Sequence, residues 1–410
     1  MLSQEKNDLI TRTGPGTPAG ELLRRYWQPV ALAEEMRQGA APMPVKIMGE
    51  ELALFRDDSG ELGLVDLHCA HRGCDLSYGR VEDGGLRCPY HGWLFDRNGQ
   101  CLEQPGEPPE IQFAHKTRQT AYKVIERGGL IFAYMGPGEP PLFPEYEAFQ
   151  VPPEQRYNVK MIIECNFLQA NEGNIDPVHT SFLHRITDPT FTGSSQRIVS
   201  GQESLQNLLA KAMPKIEVEK TNYGARIYAI RQIDEKQQYL RITNFIMPNL
   251  CAIAGETGEE GYSIHWHVPI DDVTNWRYEL VFSRKRALNP EKSKALYPIE
   301  PDGRLARNKS NRYLQNREVM DQYYLGMGTS FPAHDAYATE SQGPIQNRSK
   351  ERLGSTDKAI IMARNLIFES INDIQEGRDP LHVIRNPEEN NFSHLVVESR
   401  ITDLTDKRSS

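Results

Sequence analysis

The chain has 410 residues, 6 cysteines and a formal net charge of −9. The length predicts two or three domains with a sizeable buried core, and the acidic balance disfavours a nucleic-acid partner, which would select a basic face. A mean hydropathy of −0.59, no apolar run near the ~20 residues of a membrane helix and a polar start without a signal peptide's apolar stretch predict a soluble, cytoplasmic protein with no membrane partner.

In chain order, "TGPGTPAGELLRRYWQPVAL" (13–32) opens with turn residues and becomes a short helix. The strand-like "MPVKIMGEELALFRD" and "LGLVDLHC" follow, and short strands with Gly-rich turns continue to about residue 135. This reads as a small all-β domain. The Pro/Gly-rich stretch 135–153 reads as a linker. A larger part begins with the strand "YNVKMIIECN" and the mostly helical "FLQANEGNIDPVHTSFLHRI". Four β-type segments, 213–221, 224–234, 238–253 and 260–286, predict an antiparallel meander. In "YSIHWHV" the apolar Tyr262, Ile264, Trp266 and Val268 alternate with Ser263, His265 and His267, the period of a half-buried strand. Helices are expected around 302–325 and 355–376. The fold class is α+β. The predicted division is an N-terminal segment 1–40 packing on the large domain, a small β domain over 41–140 and an α+β domain over 141–410.

Six cysteines are too few for a disulfide framework, yet three of them cluster near two histidines. Cys69 and His71 form C-x-H; after sixteen intervening residues Cys88 and His91 form C-x-x-H. Two short loops, each offering one thiolate and one imidazole, suit a [2Fe–2S] centre with Cys69 and Cys88 on one iron and His71 and His91 on the other. A tetrahedral zinc site is the alternative, but common zinc spacings keep cysteines together and histidines together, and here each pair is mixed.

A second constellation, "NEGNIDPVHTSFLH", holds Asp176, His179 and His184. Two histidines and a distant carboxylate make the facial triad of non-heme Fe(II) oxygenases. On a regular α-helix, residues five apart point about 140° from each other, so a shared metal calls for a π-bulge in the helix, and Pro177 also argues against a regular helix. The alternative is a helix start with surface imidazoles, Asp176 serving as its N-cap. The best candidate segment for the third ligand is "SFPAHDAYATESQGPI", with Asp335; Glu340 and Asp321 are the other acids considered, and His334 is a competing donor.

The run "CAHRGC…GGLRCPYHGWLFDRNGQC" resembles the Rieske domain of the Rieske non-heme iron oxygenases. "TGPGTPAGELLRRYWQPVAL", "GGLRCPYHGW" and "ESQGPIQNRSKERLGSTDKAI" are most similar to the phthalate dioxygenase group of aromatic-acid dioxygenases and O-demethylases. The resemblance implies a Rieske domain followed by a helix-grip, START-like catalytic domain. It implies that His179, His184 and Asp335 bind mononuclear Fe(II), and that Asp176 links this iron to a Rieske histidine of a neighbouring subunit. In the Rieske proteins of respiratory complexes a cysteine at the place of Cys74 pairs with one in the second loop; here that place holds Tyr90, so Cys74 is expected to be a buried free thiol, like Cys101, Cys165 and Cys251. Homotrimers or stacked trimers, an NADH-fed reductase with FMN and a plant-type [2Fe–2S] centre, O₂ and a small aromatic substrate are also implied. Independently, the chain lacks a dinucleotide G-x-G-x-x-G followed by a suitable acid, so its electrons must come from a partner. Arg231 and Arg241, on predicted pocket strands, could hold a substrate carboxylate; outward-facing strand arginines are the alternative. A Rieske electron-transfer or ligand-binding protein without catalytic iron is the competing reading.

Overall fold

The structure is a computed structural model that describes residues 1–186, 198–200, 203–204, 213–254 and 260–404. A six-stranded antiparallel sheet runs in the order Gln28–Leu32, Leu130–Tyr134, Ala121–Arg127, Leu62–Asp66, Glu50–Arg56, Met43–Ile47. Beside it lies a four-stranded sheet of Arg80–Glu82, Gly85–Arg87, Leu94–Phe95 and Cys101–Glu103. Phe55, Val65, Leu86, Trp93 and Phe95 form a small core between them, and Cys69 and Cys88 belong to it.

The larger sheet has eight antiparallel strands. Its path is Arg156–Ile163, Asn275–Phe282, Ser263–Pro269, Leu250–Ile253, Gln237–Ile246, Gly224–Gln232 and Lys215–Lys220, with Glu398–Asp403 pairing Gln237–Ile246 as well. The meander is therefore as expected, except that 238–253 and 260–286 each fold into two strands around a tight turn. The helices Phe167–Ile175 and Lys358–Gln375 pack on this sheet. The helices Gln4–Thr11 and Pro18–Arg24 also pack against Lys358–Gln375, whereas Gln28–Leu32 enters the six-stranded sheet, so the first forty residues serve both parts of the molecule.

The strand Ser263–Pro269 is buried at every position, not on one face. Ile264, Trp266 and Val268 join the main core, where Trp266 meets Phe132 of the six-stranded sheet at 5.8 Å; burying such side chains stabilises by about 1.5–3 kcal/mol each. The other face, carrying His265 and His267, is covered by the Phe167–Ile175 helix, whose Asn174 bonds His267 at 2.7 Å. Polar residues on this strand thus mark an internal site rather than a solvent face.

The helix expected around 302–325 does not form. That stretch holds 3₁₀ turns at Lys309–Leu314 and Arg317–Val319, with positive φ at Arg312, Tyr313 and Leu314. Asn308 and Asn316 cap these turns through their side chains, the local bonding by which asparagine competes with helix. The α-helix comes later, at Phe331–Glu340. No helix among the described residues is long and apolar enough to cross a membrane.

Candidate metal centres

Two tight loops present the first constellation. Gly73 N–H donates to the Cys69 carbonyl at 2.8 Å and Gly92 N–H to the Cys88 carbonyl at 3.1 Å. Both glycines sit at positive φ (72° and 77°), which lets each loop fold back on its cysteine. Gln119 ties down the first loop: its Oε1 accepts the Ala70 N–H at 2.8 Å and its Nε2 donates to the His68 carbonyl at 2.6 Å. Cys69 and Cys88 are buried, while His71 and His91 are half-buried, their ring centroids 4.5 Å apart. Trp93 stacks flat on His71 at 4.5 Å.

These residues fit a Rieske cluster. Burial, reinforced by Cys88 and opposed by the backbone N–H groups of His71 and Arg72, pushes the Cys69 thiol up to about 12. A thiolate there needs a positive partner. The buried Nδ1 of His71 has no hydrogen-bond partner among the described residues, as suits a nitrogen that faces a metal. Cys74 is only half-buried, at the edge of the small core, so the expectation of a fully buried thiol is corrected; Cys101, Cys165 and Cys251 are buried, and all six cysteines are free.

The second constellation converges. His184 Nε2 lies 3.1 Å and His179 Nε2 3.9 Å from Oδ1 of Asp335, and one donor atom of each residue lies within 4.8 Å of the others. No π-bulge brings this about. The helix Phe167–Ile175 stops at Asp176, His179 opens a 3₁₀ turn, and the chain doubles back through Leu183 N–H to the His179 carbonyl at 2.7 Å. The residue before a proline avoids helical φ/ψ, which places the stop. Asp335 sits on the Phe331–Glu340 helix, not in a loop. Burial raises its carboxyl, but His184, Arg277 and His179 together hold it well below the usual carboxylate range.

The other acids are elsewhere. Glu340 is buried and accepts from the Tyr313 hydroxyl and from Glu164 N–H, and Asp321 is exposed in a turn. Asp176 does not cap a helix start; its Oδ1 accepts the Val178 N–H at 2.8 Å just after the helix end, and its Oδ2 lies 3.8 Å from Nδ1 of His179. That Nδ1 is buried without a hydrogen-bond partner among the described residues.

The two arginines separate. Arg231 is 1% exposed and bonds the Pro177 carbonyl at 3.1 Å, Thr180 Oγ1 at 3.2 Å and Ser181 Oγ at 3.3 Å. It braces the turn that carries His179, and burial with the nearby charge of Arg241 lowers it to about 10. Arg241 is half-buried on the same sheet face, donates to the Ala254 carbonyl at 3.0 Å, and is close enough for its charge to act on His179 and His265. Among the described residues no carboxylate pairs with it.

A buried charge network behind Asp335 escaped the sequence reading. Arg277 Nη1 contacts Asp335 Oδ2 at 3.3 Å, Arg277 Nε pairs with Glu279 at 2.5 Å, Arg277 Nη2 meets His265 Nδ1 at 3.2 Å, and the Tyr297 hydroxyl donates to Glu279 at 2.7 Å. The available signal was Arg277 and Glu279 two apart on a largely apolar strand, directly opposite His267 and His265 in register.

Residues 26–122 match the Rieske [2Fe-2S] domain and residues 133–404 match the family described as LigXa C-terminal domain like. The chain is 36% identical, over 94% of its own length and 84% of the relative's, to the 5,5'-dehydrodivanillate O-demethylase oxygenase subunit of Sphingobium sp.. It is 33% identical, over 93% and 89% of the two lengths, to the phthalate 4,5-dioxygenase oxygenase subunit of Pseudomonas putida. It shares its fold with NdmA of Pseudomonas putida CBB5, solved with caffeine, at a TM-score of 0.61 and 19% identity over 88% of this chain and 94% of that one. With both halves matched in this order and relatives aligned along nearly its full length, the chain belongs to the Rieske non-heme iron oxygenases, as an oxygenase subunit of the phthalate dioxygenase-like group.

Proposed function

We propose that this oxygenase hydroxylates or O-demethylates a small aromatic carboxylate at mononuclear Fe(II) held by His179, His184 and Asp335. Electrons would come through a [2Fe–2S] cluster held by Cys69, His71, Cys88 and His91. The observation that carries the reading is the convergence of three metal-type donors within 4.8 Å of one another, with the half-buried guanidinium of Arg241 close enough for its charge to act on His179. Iron bound at the triad supplies the O₂ chemistry. The chain's own residues do the rest. Arg241 offers N–H groups that match a carboxylate, which would turn the aromatic ring toward the triad. Arg231 holds the His179 turn. A carrier without catalytic iron has no use for a half-buried triad backed by a buried charge network.

Oxygenase subunits of this kind work with a separate electron-transfer partner. We assign that role here to an NADH-fed reductase with FMN and a plant-type [2Fe–2S] centre, in the cytoplasm. Exposed apolar side chains flank both centres: Tyr78 and Tyr90 near the cluster loops, Phe182 and Tyr324 near the triad. Such surfaces favour contacts between copies and support a homotrimer, in which Asp176 would link the His179 iron to a cluster histidine of the neighbouring subunit. We place the Rieske domain at 41–140 and the catalytic domain at 141–410, with the two helices of segment 1–40 packing on the latter and its strand Gln28–Leu32 joining the former.

The test is turnover with a surrogate reductase, NADH and O₂ against benzoates, phthalates and methoxybenzoates, each beside its methyl ester. Product from free acids and loss of that preference in Arg241→Met support the reading. Equal turnover of acids and esters by the parent protein removes the carboxylate from it.

A further inference from the structure

His184 has two ring nitrogens, and only Nε2 faces Asp335. A histidine that binds a metal through Nε2 carries its proton on Nδ1, and that N–H needs an acceptor inside the protein. For His184 the acceptor is another imidazole. His184 Nδ1 lies 3.3 Å from Nδ1 of His334, the two rings are nearly parallel (24°) with centroids 5.5 Å apart, and His334 is 2% exposed.

The far side of His334 decides the direction of the bond. His334 Nε2 lies 3.1 Å from the Gly328 carbonyl. A carbonyl oxygen only accepts, so Nε2 carries a proton and donates. The tautomer with its proton on Nδ1 alone would set the Nε2 lone pair against that oxygen. A doubly protonated His334 would set its Nδ1–H against the Nδ1–H of a metal-binding His184. One arrangement satisfies every atom: His184 Nδ1–H donates to His334 Nδ1, and His334 Nε2–H donates to Gly328 O.

We infer that His334 is a positioning residue that fixes the tautomer and ring plane of His184, anchored by the backbone carbonyl of Gly328. This rests on the proposed iron site. It also explains why a histidine directly before Asp335 is not itself a ligand: one of its nitrogens is taken by His184 and the other by the Gly328 carbonyl. The two iron histidines are then held differently. His184 has an acceptor within hydrogen-bond distance, whereas Nδ1 of His179 lies 3.8 Å from Asp176, too far for a direct bond.

The test measures iron binding rather than turnover. Mononuclear iron is stripped with a chelator while the cluster stays in place. ⁵⁷Fe(II) is then returned by equilibrium dialysis and counted by isotope mass spectrometry, so that cluster iron is not scored. Three variants divide the role. His334→Asn places a carbonyl oxygen where Nδ1 lies and keeps the acceptor for His184. His334→Gln keeps a donor for Gly328 O but loses that acceptor, and His334→Leu loses both. Cluster absorption confirms folding, and the Asn–Gln comparison stands even if the Leu variant does not fold.

The expected result is ⁵⁷Fe(II) affinity about 10- to 100-fold lower in His334→Gln and His334→Leu, with most of the loss recovered in His334→Asn. Equal affinity in the Gln variant and the parent, or Asn binding as weakly as Gln, overturns the inference while the iron site stands. A parent protein that takes up no ⁵⁷Fe(II), or a His184→Ala variant that takes it up normally, overturns both.

Discussion

Asp335 divides its carboxylate between two neighbours: Oδ1 faces His184 Nε2 at 3.1 Å, and Oδ2 faces Arg277 Nη1 at 3.3 Å. One oxygen is thereby directed at the triad and the other is held by a cation from the sheet. Arg277 is itself fixed by Glu279 and His265. Burial raises the Glu279 carboxyl, and Arg277, with His265 and Tyr297 behind it, brings it below its ordinary value.

Arg277→Met should therefore act twice. It frees Oδ2 of Asp335 and leaves Glu279 buried without its cation; breaking such a pair costs about 3–5 kcal/mol. The double variant Arg277→Met/Glu279→Gln should regain much of that stability without regaining iron affinity. Denaturant unfolding and iron analysis on both proteins separate the two effects. Restored iron binding in the double variant would show that Arg277 supports only the fold.

Arg231 and Arg241 should fail in different ways. Arg231→Met removes the brace on Pro177, Thr180 and Ser181, so iron loading and thermal stability should both fall. Arg241→Met should keep iron and stability and raise KM for aromatic acids by about tenfold or more, the loss of one charge-assisted contact. Iron content and KM measured side by side decide this, and a common phenotype would contradict the separation.

The cluster loops give a colour test. Cys88→Ser should abolish the red-brown absorption, because a buried thiolate ligand is lost. Cys74→Ser should keep it, since Cys74 has no disulfide partner and lies only half-buried. Bleaching in the second variant would give Cys74 a part in holding the cluster.

Stability should fall as pH drops below about 6.5. Burial first, and nearby cations or histidines second, lower His265 to about 4, His267 to about 3 and His382 to about 3, from 6.5. Between those values and 6.5 the unfolded chain binds protons that the folded chain does not. Each histidine then removes up to about 1.4 kcal/mol of stability per pH unit, and the loss levels off below the folded values. Urea unfolding at pH 7, 6 and 5 measures the slope, which His382→Gln should reduce.

The two constellations of candidate metal donors were legible because most of their signal is local. Cys69, His71, Cys88 and His91 lie on two hairpin loops, and His179 and His184 on one turn. The route between those histidines was misread: a π-bulge was expected, whereas Asp176–Pro177 simply ends the helix and a 3₁₀ turn does the rest. Arg277, Glu279 and His265 were invisible as a group because register between strands, not spacing along the chain, brings them together. Arg231 and Arg241 are the same residue type on adjacent strands and the same face, and only packing tells the brace from the open cation. The missing helix at 302–325 shows side-chain caps from asparagines overriding a helix-like pattern.

Iron per chain in Asp335→Ala, read beside Glu340→Ala, bears most directly on the catalytic site. The parent should hold about two cluster irons and a third at the triad. Asp335→Ala should keep the cluster absorption, lose the third iron and form no product in a single turnover with reduced cluster, O₂ and an aromatic acid. Glu340→Ala should keep all three irons. An Asp335→Ala protein that retains the third iron and turns over, while Glu340→Ala does not, would contradict the account.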